Sequence, residues 1–310
     1  MRFPKAFVFL ALITIGLSGL TARGEPQGEP AESLPVLRIG YSSHLFPGIN
    51  KTDIVAATRV WAENVLQKRG LAFQPEIHVF ETLAELFQAC RNSQLDIVAL
   101  QAVEYLALRR EIDLEGISVS VGEETEGLRA CLLVRQDARI QRLEQLSGCV
   151  FKMETAAAGE VGPLWLDTIL MEHDLPRSGE FFSIVQRVYT PSKAVLPVFF
   201  GQAEACLVRH EAFSTMTELN PQLGRELKIL RSSPVYVSGL LCFLPSFKHP
   251  DRERVRQSVL SLEQSAPGRQ IMELFRTMRI LPFDESRHLS NILELRDRYK
   301  EAGGADALWQ

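Results

Sequence analysis

The sequence predicts an α/β fold of two lobes, each a mostly parallel β-sheet flanked by helices, with a hinge between the lobes. Residues 37–105 alternate strand, helix, strand, helix, strand, which is the βαβαβ unit of an open parallel sheet. Residues 129–210 repeat this alternation. Two crossings, near residues 126–129 and 233–239, are enough to carry the chain from one lobe to the other and back.

Apolar residues at alternating or helical spacing predict the elements of the first unit. Strands are predicted at residues 37–41, 76–80 and 95–100, and helices at 52–68 and 83–90. The following residues, 115–127, are polar and turn-rich, and residues 123–127 predict an exposed connection.

The second unit and the tail follow the same reasoning. Strands are predicted at residues 129–135, 149–153, 182–189, 205–208, 227–232 and 239–244. Helices are predicted at residues 143–148, 161–172, 194–200, 251–264, 268–277 and 285–299. We expect the tail helices to return to the first lobe, so that lobe 1 comprises 35–127 and 238–310 and lobe 2 comprises 128–237.

The amino-terminal residues predict export. Arg2 and Lys5 precede an apolar run, residues 6–20, that is short for a membrane span, and small residues follow it. We predict a cleaved signal peptide over 1–24, a linker over 25–34 and a periplasmic protein; an uncleaved membrane anchor is the disfavoured alternative. The net charge of −4 over 310 residues gives no general attraction for nucleic acid.

Cysteine and histidine patterns argue against a metal or redox site. An odd count of five cysteines cannot pair completely, and four of them lie in apolar segments, which predicts buried free thiols: Cys90, Cys131, Cys206 and Cys242. There is no Cys-x-x-Cys pair, no histidine pair four residues apart, no Gly-x-Ser-x-Gly and no Walker loop. We therefore predict no metal, no cofactor and no enzymatic activity.

Polar side chains follow the predicted parallel strands, where ligands of open sheets bind. The candidate ligand-binding residues are Tyr41, Ser42, Ser43, Tyr105, Thr155, Ser192, Lys193 and Arg209. The two cations suit a small anion, and arginine offers two parallel hydrogen bonds to a phosphate or carboxylate.

Each candidate also has a structural interpretation. The serines, with His44, can cap a turn and the next helix, and the tyrosines can pack at the end of the sheet. A lysine or arginine can form a surface contact or an ion pair between lobes. Glu104 would repel an anion, so we expect it to face solvent or pair with an arginine; we expect His210 to be structural.

Short segments in a fixed order carry a resemblance to a known family. They are residues 37–42, 57–62, 95–98, 104–105, 132–137, 143–148, 194–196, 200–205, 232–234 and 267–269. Together they resemble the phosphate/phosphite/phosphonate substrate-binding proteins of bacterial ABC transporters, from residue 37 to the last helix. The resemblance implies a type II periplasmic-binding fold that closes around a small ligand.

This chain departs from the family pattern around the ligand. The family's Gly-Ser-Thr-Ser-Gly-like loop is replaced by Glu-Thr-Ala-Ala-Ala-Gly at residues 154–159, which keeps only Thr155 and the backbone amides as donors. Lys193 stands where the family often has histidine, and Arg209 stands where binders of aminophosphonates have an acid. These changes argue against ligands that carry an amine.

The sequence thus predicts an exported, monomeric solute-binding protein that captures a small anion, of the phosphate or phosphonate kind, for an ABC permease. The alternative is a periplasmic protein of the same fold that senses a ligand or binds a partner, such as a membrane sensor, without a role in transport. Neither hypothesis involves nucleic acid.

Overall fold

The computed structural model describes residues 34–46, 48–121, 127–155, 161–237, 239–274 and 279–305. The predicted signal peptide lies outside these residues, as do the linker up to residue 33 and the loop at 156–160. Within the described residues, no helix combines the length and apolar character needed to cross a membrane.

Alternating and continuous apolar runs form the strands. In chain order they are β1 (Val36–Ser42), β2 (Gln74–Phe80), β3 (Ile97–Gln101), β4 (Glu115–Val121), β5 (Ala130–Arg135), β6 (Val150–Glu154), β7 (Ile184–Val188), β8 (Ala205–Arg209), β9 (Leu227–Ser232), β10 (Gly239–Phe243) and β11 (Arg279–Pro282).

The helices lie between these strands and along the tail. In chain order they are α1 (Lys51–Lys68), α2 (Leu83–Arg91), α3 (Ala102–Leu108), α4 (Val161–Met171), α5 (Ser178–Phe181), α6 (Pro191–Phe199), α7 (His210–Leu219), α8 (Pro221–Glu226), α9 (Arg252–Leu260), α10 (Ala266–Leu274), α11 (Glu285–His288) and α12 (Ser290–Glu301). Short 3-10 turns cover Ser43–Leu45, Leu143–Leu146 and Leu262–Gln264.

The strands form two mixed sheets. The first has the order β11-β4-β10-β3-β1-β2, and the second has the order β7-β6-β8-β5-β9. In the first sheet β2, β1 and β3 are parallel, and in the second β7, β6 and β8 are parallel; the remaining neighbours are antiparallel. Helices flank each sheet, as predicted.

The polar stretch at 115–127 contains a strand that the sequence analysis did not predict, because β4 lies inside the first sheet. Most of the predicted exposed connection at 123–127 lies outside the described residues. β4 pairs with β10 on one side and β11 on the other. Ile117, Val119 and Val121 are buried, and these β-branched residues alternate with serines in a strand pattern. The serines gave the segment its polar appearance, but Ser118 is buried as well.

Both chain crossings lie at one edge of each sheet. In the first sheet, Gly239 at the start of β10 pairs with Gln101 at the end of β3 and with Ser120 near the end of β4. In the second sheet, Ala130 at the start of β5 pairs with Arg209 at the end of β8. The crossings therefore join the edges at which the parallel strands end. We call these two edges the facing edges.

The crossing segments also pair with each other. The backbone N–H of Leu128 donates to the carbonyl of Tyr236 at 2.7 Å, and that of Tyr236 donates to the carbonyl of Leu128 at 2.8 Å. The last helix, α12, packs on α4 beside the second sheet, and the Nδ2 of Asn291 donates to the carbonyl of Val235. The tail therefore contacts the second crossing directly.

Candidate functional site

A buried carboxylate organises the facing edge of the first sheet. Glu104, only 3 % exposed, accepts at Oε1 from the Ser42 hydroxyl at 2.7 Å and at Oε2 from the Gln101 backbone N–H at 2.7 Å. The Nδ1 of His44 lies 2.7 Å from the same Oε1, and the Nε2 of Gln101 donates to the His44 carbonyl. The expectation that Glu104 faces solvent or an arginine is wrong, because it caps α3 and binds Ser42 and His44.

The serines at the end of β1 have different environments. The Ser42 hydroxyl is buried, donates to Glu104 and accepts weakly from the His44 N–H at 3.3 Å. Ser43 is partly exposed and begins the 3-10 turn, in which its carbonyl accepts from Phe46. The hydroxyl of Ser42 thus serves the turn and the carboxylate, as its structural interpretation proposes.

Both candidate tyrosines lie in the protein interior. Tyr41 points to the α1 side of the first sheet, where its ring meets Phe46 at 5.8 Å between centroids, and burial raises the pKa of its phenol. Tyr105 lies on α3 against Phe283, with the Arg109 guanidinium 5.5 Å from its ring centroid. Burial raises the pKa of Tyr105 to about 12.

The facing edge of the second sheet contains a second buried carboxylate, which holds Arg209. Glu154, at 0 % exposure, ends β6; its Oε1 accepts from Nε and Nη2 of Arg209 at 3.2 and 3.1 Å. Its Oε2 accepts from the Arg209 backbone N–H at 3.1 Å. The Arg209 side chain is 17 % exposed, and its Nη1 has no hydrogen-bond partner within the described ranges. Arg209 is therefore fixed at the edge, with its charge largely balanced by Glu154.

The other candidates of the second sheet, Thr155, Ser192 and Lys193, also follow the ends of strands at this facing edge. Thr155 follows Glu154, and its hydroxyl donates to the carbonyl of Val188 at 3.3 Å. Ser192 and Lys193 lie in the first turn of α6, which begins three residues earlier than predicted, and both are exposed. Lys193 has no ion-pair partner among the residues described. The first turn of a helix is a favourable position for an anion.

Two further charged residues at this edge escaped the sequence analysis. Arg129 directly precedes β5, and its carbonyl accepts from the backbone N–H of His210, the first residue of α7. Arg129 Nε and Glu211 Oε2 are buried and have no partner within the described part of the chain. Arg129 was recognisable, because it begins a predicted strand at the edge where Arg209 ends another.

This arrangement can bind a charged ligand but offers no evident chemistry for turnover. Arg129, Lys193, Arg209 and the start of α7, which lacks a side-chain cap, supply positive charge and N–H donors. Glu154 and Glu211 offset part of that charge. No group of three or more His, Cys, Asp or Glu residues suitable for a metal ion occurs in the described residues.

Comparison with known proteins agrees with this architecture. A binding protein component of an ABC phosphonate transporter from Pseudomonas aeruginosa has a TM-score of 0.60 at 15% identity, covering 87% of this chain and 88% of its own. A Xanthomonas citri protein bound to ATP has a TM-score of 0.62 at 13% identity, covering 86% and 98%. A Prochlorococcus marinus protein in complex with methylphosphonate has a TM-score of 0.56 at 15% identity, covering 86% and 98%. These likenesses confirm the type II periplasmic-binding fold.

The sequence itself gives the family. No protein of curated function matches the chain. Residues 45–287 match the family model described as ABC transporter, phosphonate, periplasmic substrate-binding protein, and this match covers most of the chain. The chain therefore belongs to the family of periplasmic substrate-binding proteins of phosphonate ABC transporters.

Proposed function

We propose that this chain captures a small oxyanion of the phosphate or phosphonate kind between its facing edges and delivers it to an ABC permease. The family is one of substrate-binding proteins and not of enzymes. The observation that carries the proposal is Arg209, which two hydrogen bonds to Glu154 fix at the facing edge while Nη1 stays unpaired within the described residues. A guanidinium oriented in this way offers a charge-assisted bond to an oxyanion at little cost in side-chain entropy.

Charge around Arg209 supports a single small anion. Glu154 and Glu211 offset two of the positive charges of Arg129, Lys193 and Arg209. Affinity therefore rests on the one charge in excess and on the N–H groups at the start of α7. The methylphosphonate complex of the Prochlorococcus marinus protein is consistent with this ligand class.

The test is calorimetric titration of the exported chain with phosphate, phosphite, methylphosphonate, sulfate and citrate. Arg209→Ala is a poor variant, because it leaves the buried Glu154 unpaired at a cost of about 3–5 kcal/mol in stability. The double variant Glu154→Gln/Arg209→Gln removes both charges together and is compared with Glu154→Gln alone. We expect the double variant to bind its anion about 10- to 100-fold more weakly than Glu154→Gln, because a hydrogen bond to a charged group is lost.

Lys193→Ala is the second variant, with Lys68→Ala, at the exposed end of α1, as its matched control. We expect several-fold weaker binding for Lys193→Ala, a smaller effect than at Arg209 because the exposed Lys193 is solvated, and no change for Lys68→Ala. Two results together would contradict the proposed anion site: the double variant binds the anion as tightly as Glu154→Gln does, and Lys193→Ala binds it as tightly as Lys68→Ala does.

A second candidate function is ligand sensing or partner binding without transport. It is favoured by the internal use of two candidate ligand-binding residues, because the Ser42 hydroxyl and two N–H groups of Arg209 already bind buried carboxylates. If none of the anions binds to the folded chain, this second function replaces the first.

A further inference from the structure

An apolar cavity of about 80 Å³ lies on the α1 side of the first sheet. Tyr41, Ala99 and Leu241 form its floor on the sheet, and Trp61 of α1 and Met272 of α10 are part of its cover. Its lining is mostly apolar, so water gains few hydrogen bonds there. Cavities of this kind are rare in close-packed interiors.

A second apolar cavity adjoins the first along β1. This second cavity, of about 40 Å³, shares Tyr41, Trp61 and Leu241 with the first and extends past Ile39 to Leu37. Leu37, Ile39 and Tyr41 lie on the same face of β1, because side chains alternate along a strand. The two cavities are therefore neighbours beneath α1, and we refer to them together as the apolar space.

Small side chains leave this space open. Ala62 of α1 lines the second cavity, and Ala99 of β3 lines the first. Among the described residues, the buried indole Nε1 of Trp61 has no acceptor. An alkyl group does not satisfy that N–H, but unfilled apolar volume reduces stability, which is the condition expected of a site that an apolar group completes.

One end of the space lies at the facing edge of the first sheet. Tyr41 is the penultimate residue of β1, and Gly239 begins β10 opposite Gln101. Leu45 belongs to the 3-10 turn that follows β1, and a methyl group added to Gly239 would lie 3.2 Å from Leu45 Cδ2. Leu45 and Gly239 thus narrow the end that is nearest to the proposed anion site.

We propose that this space receives the unbranched alkyl chain of an oxyanion whose charged head binds between the facing edges. The proposal rests on the proposed function and adds a ligand class, a short-chain alkyl oxyanion. A cavity of about 150 Å³ lined by apolar side chains accommodates benzene, so about 80 Å³ accommodates about three carbons and the inner 40 Å³ one or two more.

The test is a titration with phosphate and with methyl-, ethyl-, propyl-, butyl- and octylphosphonate. We expect affinity to rise about fourfold for each added methylene group, as for transfer of a CH₂ from water to an apolar site. The rise should end after about three to five carbons, where the space is filled. Affinity that is the same for all chain lengths overturns the proposal, whereas binding by no anion overturns the proposed function and this inference with it.

Two variants test whether the rise in affinity with chain length comes from this space. Ala99→Val places extra carbon inside the cavity, and Gly239→Val narrows its end beside Leu45. Both should bind phosphate as the unmodified chain does and lose most of the gain from propyl and butyl chains. Ala57→Val, on the exposed face of α1, is the control and should keep the gain. A gain retained in folded Ala99→Val and Gly239→Val places the alkyl chain elsewhere and overturns the proposal.

Discussion

At the scale of single residues, burial determines which groups react. The four cysteines expected to be buried are buried, and Cys149 is partly exposed. Burial raises the pKa of Cys90 to about 12, and it raises the pKa values of Cys131, Cys206 and Cys242 as well. Since the thiolate is the reactive form, the buried thiols are protected by both protonation and access.

We therefore expect one fast thiol in the native protein at pH 8, measured with a disulfide reagent, and four that react only when the chain unfolds. Cys149→Ser should remove the fast phase. The raised pKa of Cys90 also makes the free energy of unfolding depend on pH. The contribution of the neutral thiol is fully present below pH 9.0, and it is lost as the pH rises towards 12. Two or more fast thiols would contradict the burial of the four cysteines.

At the scale of elements, the start of α3 depends on Glu104. Its carboxylate accepts from the Gln101 N–H and from Ser42, and His44 completes the contacts at Oε1. A glutamine at this position has one acceptor oxygen for these donors, so at least one buried donor loses its partner.

We expect Glu104→Gln to lower the free energy of unfolding by about 1–3 kcal/mol, measured from urea midpoints. Glu111→Gln is the matched control, because Glu111 pairs with Arg91 at an exposed position. The control should change stability by less than about 1 kcal/mol. Equal effects of the two substitutions would show that the carboxylate of Glu104 is not needed for the α3 start.

Local pattern accounts for most elements but for little of the site. The period of α1 and the apolar runs of β3 and β8 are visible in the sequence, because burial on one or both faces dictates their composition. β4 was missed because serines alternate with its apolar residues and make the segment look like a polar loop, although Ser118 is buried. The contacts of Glu154 with Arg209 and of Glu104 with Ser42 join residues 55 and 62 positions apart, and no local pattern specifies such pairs.

At the scale of the whole molecule, one apolar core joins the two sheets. A single cluster of buried residues includes Leu100 of β3, Leu132 of β5 and Tyr299 of α12, and Tyr236 of the second crossing belongs to it as well. The Arg298 guanidinium of α12 makes two hydrogen bonds to Glu172 at 2.7 and 2.8 Å, next to α4. Residues from 34 onwards accordingly form one compact unit.

A shared core predicts that both sheets unfold together, because losing either one exposes apolar surface of the other. Trp61 reports on α1 beside the first sheet, and Trp165 reports on α4 beside the second. Two variants retain one of these reporters each, with Trp309 and the other replaced by phenylalanine.

In each variant, we expect the urea midpoint from tryptophan fluorescence to coincide with the midpoint from far-ultraviolet circular dichroism. The comparison is made within one variant, since the Trp→Phe changes themselves shift stability. A Trp61 midpoint below the dichroism midpoint would mean that α1 separates first. The apolar space beneath α1 would then be the weakest part of the core, and an alkyl oxyanion that fills it should bring the two midpoints back together.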